Sequence, residues 1–268
     1  MDLLRELHAV FSVSAFAFGA AIGSFLNVVI WRVPRGESIV SPPSHCPKCN
    51  APIKWYQNIP VVSWLCLRGR CANCKAPISA RYIFVEVLCG CLFLFAFWNY
   101  ALLAPVMWIW ISLMVVGSFI DYDLQLLPDF VTVGGMVLGL VLGGVFSLVE
   151  GSWQPLVFSS IGLCTGFGLL WLIRFFGTKA FKREAMGMGD VFLMGAVGAI
   201  FGPLAVIVTL VLGAMLGSVV GLAMIACHKA RIGRFVAIPF GPYLCIGCLV
   251  WMFWGPELVN AYVKLIMP

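Results

Sequence analysis

Residues 186–193 read MGMGDVFL, and an apolar run that begins at Asp190 continues as far as Cys227. This run is too long for one membrane helix, which needs roughly 20 apolar residues. The pair Gly202-Pro203 most simply divides it, because proline suits the first turn of a new helix. The stretch therefore predicts two membrane spans, with one carboxylate, that of Asp190, at the membrane boundary.

The composition of the whole chain agrees with a membrane protein. Of the 268 residues, 62% are hydrophobic and 10% are charged, and the mean hydropathy is +1.03. A soluble domain carries about 25% charged residues, so the deficit excludes an ordinary soluble globular protein. Residues 1–10 lack the basic start of a signal peptide. We therefore expect no cleaved signal and a first apolar run that stays in the bilayer.

Eight apolar stretches are candidates for membrane spans. They are predicted at 9–31, 81–98, 101–120, 130–149, 155–176, 190–201, 203–227 and 239–256. The predicted fold class is an all-α polytopic membrane protein with about eight transmembrane helices and a small cytosolic zinc-ribbon-like loop. We divide the chain into a first span at 1–31, the polar loop at 32–80, and a core of about seven spans at 81–268.

The distribution of basic residues predicts the orientation of these spans. If the N-terminus lies outside, every Lys and Arg falls on the inner side except Arg5 and Lys264. Cytoplasmic loops carry such an excess of positive charge. Both termini are then periplasmic. Two acids, Asp121 at the end of the third span and Asp190 at the start of the sixth, then lie at the inner membrane surface.

The polar loop contains two Cys-x-x-Cys motifs, formed by Cys46 with Cys49 and by Cys71 with Cys74. Two such pairs complete a tetrahedral Cys₄ site for a structural Zn²⁺ ion, and four thiolates leave no open position for catalysis. One polar residue and then Ala-Pro follow each motif, so we expect two copies of one hairpin. The alternatives are four free thiols, or disulfides if the loop lies outside.

Asp121 and Asp190 are the candidate catalytic residues. Acids in membrane segments are costly to bury and are usually functional. Each also has a structural explanation: Asp190 as the N-cap of its helix, and Asp121 as part of a polar turn. If the two acids meet, they share one proton, so one can take a proton from water while the other polarises a peptide carbonyl. The helix dipole favours a charged Asp190 and a protonated Asp121.

Several short motifs, taken in order, resemble the bacterial type IV prepilin leader peptidases, which are membrane aspartic proteases. The motifs are GSFLNVV at 23–29 followed by Arg32 and Pro34, the two Cys pairs, ISARY at 78–82 followed by Val85-Glu86, Ile120-Asp121 with LPD at 127–129, GMGD at 187–190, and FGPY at 240–243 followed by Gly247. The resemblance implies an endopeptidase that removes the basic leader of prepilins or pseudopilins at the cytosolic face of the bacterial inner membrane. Asp121 and Asp190 take the positions of the catalytic pair, whereas Asp123 and Asp129 do not.

The resemblance also implies a second activity. Many members of the family methylate the new N-terminal residue with S-adenosylmethionine, and the Cys-rich loop resembles that of the bifunctional members. Asn27, Arg81 and Glu86 are candidates for this activity only as polar groups in or beside spans. One departure from the family pattern is Phe192, where a Lys is common.

Two other functions are consistent with the same features. A proton-coupled transporter would use the acids as a relay and would place them near the middle of the bilayer. A membrane anchor would recruit a partner through its zinc loop and would tolerate changes at both acids. The basic loops follow from the orientation, so we expect no nucleic-acid partner. The expected partners are prepilin or pseudopilin substrates and the lipid bilayer.

Overall fold

The structure is a computed structural model that describes residues 2–227 and 239–266, with side chains from residue 6 onward. Three of the basic residues assigned to the inner side, Lys229, Arg231 and Arg234, lie outside the described residues, as does the side chain of Arg5. The chain forms two compact units, Met1–Val116 and Gly117–Pro268.

The described residues contain nine α-helices, and their only β-type pairing is two isolated bridges in the polar loop. The helices are α1 (Asp2–Arg32), α2 (Val62–Cys66), α3 (Ala80–Tyr100), α4 (Ala104–Leu124), α5 (Asp129–Glu150), α6 (Gln154–Phe181), α7 (Met188–Phe201), α8 (Pro203–Ala226) and α9 (Gly241–Ile266). The all-α fold predicted from the sequence is therefore confirmed.

The number of spans also agrees with the sequence. Six segments are long and apolar enough to cross a membrane, and one of them, Ala80–Leu124, contains both α3 and α4. Two contacts show that the chain reverses between these helices. The indole N–H of Trp108 donates to the carbonyl of Phe93 at 2.9 Å, and the rings of the two residues stack 5.2 Å apart. One continuous helix would separate these residues by about 22 Å. With α3 and α4 counted separately and the shorter α7 included, the described residues contain eight apolar helices.

The last helix extends beyond the span that the sequence predicts. The sequence places the end of the last span at Pro256, but α9 continues through this residue to Ile266. A proline inside a helix removes one backbone hydrogen bond. Membrane helices tolerate this loss because neighbouring groups satisfy the freed carbonyl.

In the first unit, α1 and α3 pack closely along glycines. A Cβ atom on Gly23 would lie 2.9 Å from the Cα of Glu86, and one on Gly90 would lie 2.8 Å from the ring of Phe16. Small residues let membrane helices approach at backbone distance. The close contact buries the polar residues next to these glycines, including Asn27 and Glu86.

In the second unit, α7 is enclosed by its neighbours. Nine of its 14 residues are buried. A Cβ atom on Gly166 of α6 would overlap the carbonyl oxygen of Met194, and Gly162 and Gly198 are equally close to each other. A helix of this length spans about 21 Å, less than the roughly 30 Å of a bilayer core. α7 thus lies mainly among other helices, as the glycine at position 198 allows.

The division of the long apolar run falls where the sequence predicts it. α7 ends at Phe201, Gly202 follows with φ of 85°, and Pro203 is the first residue of α8. A positive φ is readily adopted by glycine, and proline is preorganised for the start of a helix.

Candidate functional site

Asp121 lies in the last turn of α4 and is 6% exposed. Its Oδ2 accepts a hydrogen bond from the backbone amide of Gly241 at 3.0 Å. Asp123 and Asp129, which the resemblance left outside the catalytic pair, are both exposed. Asp121 therefore differs from an ordinary polar residue of a turn, because its carboxylate is buried and accepts a hydrogen bond from the start of a distant helix.

Asp190 lies in the first turn of α7 and is 8% exposed. The N-cap of this helix is Gly187, two residues before Gly189, so the alternative in which Asp190 is the N-cap is wrong. Gly187 precedes the helix with φ of −65° and ψ of 147°, an extended conformation that any residue adopts, and its amide donates a hydrogen bond to the side chain of Asp190. A Cβ on Gly187 would lie 3.5 Å from the Oδ2 of Asp190.

The two acids belong to the same unit, and they are close enough to interact electrostatically. The side chain of Leu127 lies between the start of α7, which carries Asp190, and the start of α9, whose amide donates to Asp121. A Cβ on Gly189 would lie 2.7 Å from the Cβ of Leu127, and a Cβ on Gly241 would lie 3.2 Å from its Cδ1. This buried leucine therefore packs against both the start of α7 and the start of α9.

Two neighbouring buried carboxylates can perform acid–base chemistry on a peptide bond. Like charges in a shared site cannot both ionise easily, so one group serves as the acid and the other as the base. Such a pair titrates as a unit, and its protons belong to the pair and not to one residue.

The four cysteines of the polar loop form a cluster that can hold a metal ion. All four Sγ atoms lie within 4.8 Å of one another, and those of Cys46 and Cys74 are 3.9 Å apart. Tetrahedral zinc with Zn–S bonds of about 2.3 Å requires S–S separations of about 3.8 Å. The donor set therefore fits a structural Zn²⁺ ion, and four thiolates are the expected ligands of such a site.

The two halves of the cluster are copies of one hairpin, as the sequence predicts. In the first, the amide of Cys46 donates to the carbonyl of Ala51, and Asn50 has a φ of 55°. In the second, the amide of Cys71 donates to the carbonyl of Ala76, and Lys75 has a φ of 59°. The repeated left-handed residue closes each turn and directs both thiols of a pair to the same side.

Backbone amides prepare two of these thiols to bind a cation. The amide of Ala51 lowers the pKa of Cys49, and the amides of Cys74 and Asn73 lower the pKa of Cys71 to about 6. For Cys74 the amide of Ala76 acts in the same direction, but burial and the neighbouring thiols raise the pKa to about 11. Since the thiolate is the ligand, the cluster favours a bound cation that neutralises the shared negative charge.

The remaining candidate residues lie in different places. Asn27 donates to the carbonyls of Gly23 and Tyr82, which joins α1 to α3. Glu86 is buried on α3 and accepts a hydrogen bond from the amide of Val61 at 2.7 Å. Arg81 is half-buried in the first turn of α3.

Phe192, where the family pattern often has Lys, packs against Phe167 of α6 with ring centroids 5.7 Å apart. Sequence reasoning did not find two features of these sites: the contact of Gly241 with Asp121 and that of Val61 with Glu86. The FGPY motif marks the first position, but nothing in the sequence names its partner 120 positions earlier.

Comparisons with known proteins agree with this arrangement. Residues 17–100 match the bacterial peptidase A24 N-terminal domain, and residues 108–222 match the type IV leader peptidase family. No solved structure matches the chain at a significant level.

Several curated relatives carry the description prepilin leader peptidase/N-methyltransferase. One from Pseudomonas putida is 34% identical, with 96% of each chain covered, and one from Legionella pneumophila is 36% identical, with 92% of each covered. One from Myxococcus xanthus is 41% identical over 80% of this chain. That match covers 63% of the Myxococcus protein, which is less than two thirds of its length. With the matched domains and relatives that align over nearly their whole length, this chain belongs to the type IV leader peptidase family.

Proposed function

We propose that this protein is a membrane aspartic endopeptidase that removes the basic leader peptide from type IV prepilins or pseudopilins. The observation that carries the proposal is the pair of buried carboxylates, Asp121 and Asp190, at the ends of two apolar helices of one unit. The family match and the names of the relatives supply the substrate class.

In the proposed mechanism the two carboxylates share one proton. The ionised acid takes a proton from the attacking water, and the protonated acid polarises the scissile carbonyl. The helix-dipole argument assigns the charge to Asp190 and the proton to Asp121. Asp190 lies at the N-terminus of α7 and Asp121 at the C-terminus of α4, but the amide at the start of α9 also donates to Asp121 and favours its charged form. The proton therefore belongs to the pair and not to one residue. The burial of both groups excludes bulk water, which strengthens their action on the peptide.

We further propose that the chain methylates the N-terminal amine that cleavage exposes. The names of the relatives include an N-methyltransferase activity, which implies S-adenosylmethionine as the methyl donor. Residues 108–222 match the type IV leader peptidase family, whereas residues 17–100 match the separate bacterial peptidase A24 N-terminal domain. This division favours the first unit as the place of methyl transfer.

The Cys₄ cluster is proposed to hold one structural Zn²⁺ ion. Its ligands would be Cys46, Cys49, Cys71 and Cys74. The ion would fix the two hairpins of the loop at 32–80 relative to each other, because these short turns have almost no apolar core of their own.

The multi-pass chain is proposed to lie in the bacterial inner membrane, with both termini in the periplasm and the acids facing the cytosol. The support is the positive-inside distribution of Lys and Arg. A transporter that uses the same acids as a relay is not favoured, because Asp121 and Asp190 occupy helix ends.

The test uses the full chain purified in detergent with a prepilin substrate and S-adenosylmethionine, and it follows the product by mass spectrometry. We expect the wild type to remove the leader and to add the mass of one CH₂ group. Asp121→Asn and Asp190→Asn should each lose at least about a hundredfold in the rate of cleavage. The matched control is Asp123→Asn, since Asp123 is exposed two residues from Asp121. Full cleavage by both Asn variants at 121 and 190 would refute the dyad.

A further inference from the structure

A buried arginine lies at the end of α1. Arg32 is 9% exposed, and one of its guanidinium nitrogens donates to the carbonyl of Ser38 at 2.9 Å. Within the part of the chain that the structure describes, no Asp or Glu side chain forms an ion pair with Arg32. A buried cation without a counter-charge is costly, so its environment favours the arrival of an anion.

Arg32 lines a cavity of about 360 Å³ in the first unit. The other polar side chains of its lining are those of Ser24, Ser44 and Asn58, and the rest of the wall is apolar, with Phe25 and Val40 among the lining residues. Most of the lining residues are apolar, and a few polar groups converge on a space of a few hundred Å³, as in a small-molecule site.

A second ionisable side chain, that of Glu86, lies next to the lining of this cavity. The carboxylate of Glu86 accepts hydrogen bonds from the amide of Val61 and from the side chain of Ser24. Ser24 lines the cavity, as does Pro60, the neighbour of Val61. Glu86 therefore holds two parts of the lining in position, one on α1 and one in the polar loop.

The segment that Glu86 holds is strained. Val61 has a φ of 63°, a conformation that is unfavourable for a β-branched residue. Strain of this kind persists only where the surroundings enforce it, and it concentrates at ligand sites. Here the enforcing contact is the 2.7 Å hydrogen bond from the Val61 amide to Glu86.

We propose that this cavity binds the methyl donor, S-adenosylmethionine, and that Arg32 binds the donor's carboxylate. Glu86 is a positioning residue that shapes the wall through Ser24 and Val61. The inference rests on the proposed methyl transfer and assigns its binding site. The residues fit this ligand, because it carries one carboxylate and also positive groups, and the cavity has a buried cation with a carboxylate one layer behind it.

The phosphate of a lipid headgroup is the other anion within reach of a membrane surface. A carboxylate behind the cavity wall disfavours it, since a lipid such as phosphatidylglycerol offers no positive group. In the transfer itself, the substrate's amine nitrogen bonds to the donor's methyl carbon. The carbon–sulfur bond breaks with its electron pair left on sulfur, and the amine releases a proton to solvent.

The test measures equilibrium binding of S-adenosylmethionine and of decarboxylated S-adenosylmethionine to the full chain in detergent, by equilibrium dialysis. The wild type should bind the decarboxylated compound about 10- to 100-fold more weakly than the parent, the loss expected for one partner of a buried charge pair. Arg32→Met should weaken binding of the parent by a similar factor and should no longer distinguish the two compounds. The control is Arg35→Met, because Arg35 is exposed and stacks on Trp31.

Glu86 is tested by rescue with a conservative variant. Glu86→Gln keeps an oxygen acceptor for the Val61 amide, so its donor affinity should stay within about threefold of the wild type. Glu86→Leu removes the acceptor and should weaken donor binding by about tenfold or more. Equal donor binding by Glu86→Leu and the wild type would contradict the positioning role.

Equal affinity of the wild type for the two compounds would overturn the assignment of Arg32, and this measurement needs no variant to fold. The same conclusion follows if Arg32→Met binds the parent as the wild type does. Phosphatidylglycerol is added in a parallel dialysis. If it competes with S-adenosylmethionine and the wild type binds the two compounds equally, the cavity is a lipid site, and the assignment of Arg32 is also overturned. Mass spectrometry of the wild-type product tests the proposed methyl transfer separately. If the product is methylated but the wild type binds both compounds equally, only this binding site is refuted and the methyl transfer stands.

Discussion

The backbone amide of Gly241 donates a 3.0 Å hydrogen bond to Oδ2 of Asp121, 120 positions earlier in the chain. Gly241 is the first residue of α9, so this bond joins the start of the last helix to the end of α4. A Cβ atom at position 241 would lie 2.7 Å from the same carboxylate oxygen. The contact thus requires a residue without a side chain.

Gly241→Ala should therefore reduce leader cleavage by about 10- to 100-fold, because the added methyl displaces the Asp121 carboxylate and small misplacements of reacting groups are costly. Initial rates of leader removal measure the effect. Gly134→Ala is the matched control, since a Cβ there meets no atom within 4 Å. Equal rates for the two variants would show that the position of Asp121 does not depend on this contact.

Gly166→Ala should destabilise the second unit by about 1–3 kcal/mol, the usual cost of overpacking. The new methyl would overlap the carbonyl oxygen of Met194 and would push α6 away from α7. Thermal unfolding in detergent measures the change. Gly168→Ala lies two residues further along α6, where a Cβ has open space. Its melting temperature should equal or slightly exceed that of the wild type, because alanine is the better helix former.

Arg174→Met should lower cleavage more than Glu184→Gln does. The Arg174 side chain donates to the carbonyl of Met186 and forms an ion pair with Glu184, both at 3.0 Å. Glu184 is 78% exposed, and such a surface pair contributes less than about 1 kcal/mol. The bond to Met186 instead holds the segment that leads into α7 and Asp190. Equal loss of activity in the two variants would assign the effect to the ion pair.

The purified wild type should contain one zinc ion per chain, and Cys46→Ser should lose it. Elemental analysis by mass spectrometry measures the metal. Cys66→Ser should keep the metal, because Cys66 is exposed and stands outside the cluster. A wild type without zinc, or a Cys46→Ser variant that retains it, would contradict the assignment.

Zinc retention should also depend on pH in a defined direction. Thiolates bind the metal and protons compete with it, so a thiol with a lowered pKa resists that competition to lower pH. The pKa of Cys71 is about 6. Retention of zinc against a fixed concentration of chelator should therefore weaken as the pH falls, because Cys74 competes for protons already near neutral pH, and it should weaken most steeply below about 6, where Cys71 also takes up a proton. A constant retention down to pH 5 would argue against the four thiols as the ligands.

Much of the fold follows from local patterns. Apolar stretches of about 20 residues predicted the spans, and Gly202-Pro203 predicted the boundary between α7 and α8. The last helix continues ten residues past Pro256, where the predicted span ends. A lone proline breaks an isolated helix, whereas a membrane helix beside others can accommodate the missing hydrogen bond.

For the candidate sites, the sequence by itself determined the residue types and their spacing: two acids at span ends, and two Cys pairs in repeated turns. These depend on neighbours within a few positions, so a linear pattern records them. Only the tertiary structure decided that Gly241 contacts Asp121 and that Leu127 packs between the starts of α7 and α9. Likewise, it decided that Glu86 holds Val61. Such contacts join residues far apart in the chain, and they arise from the close packing of whole helices, which no local sequence pattern encodes.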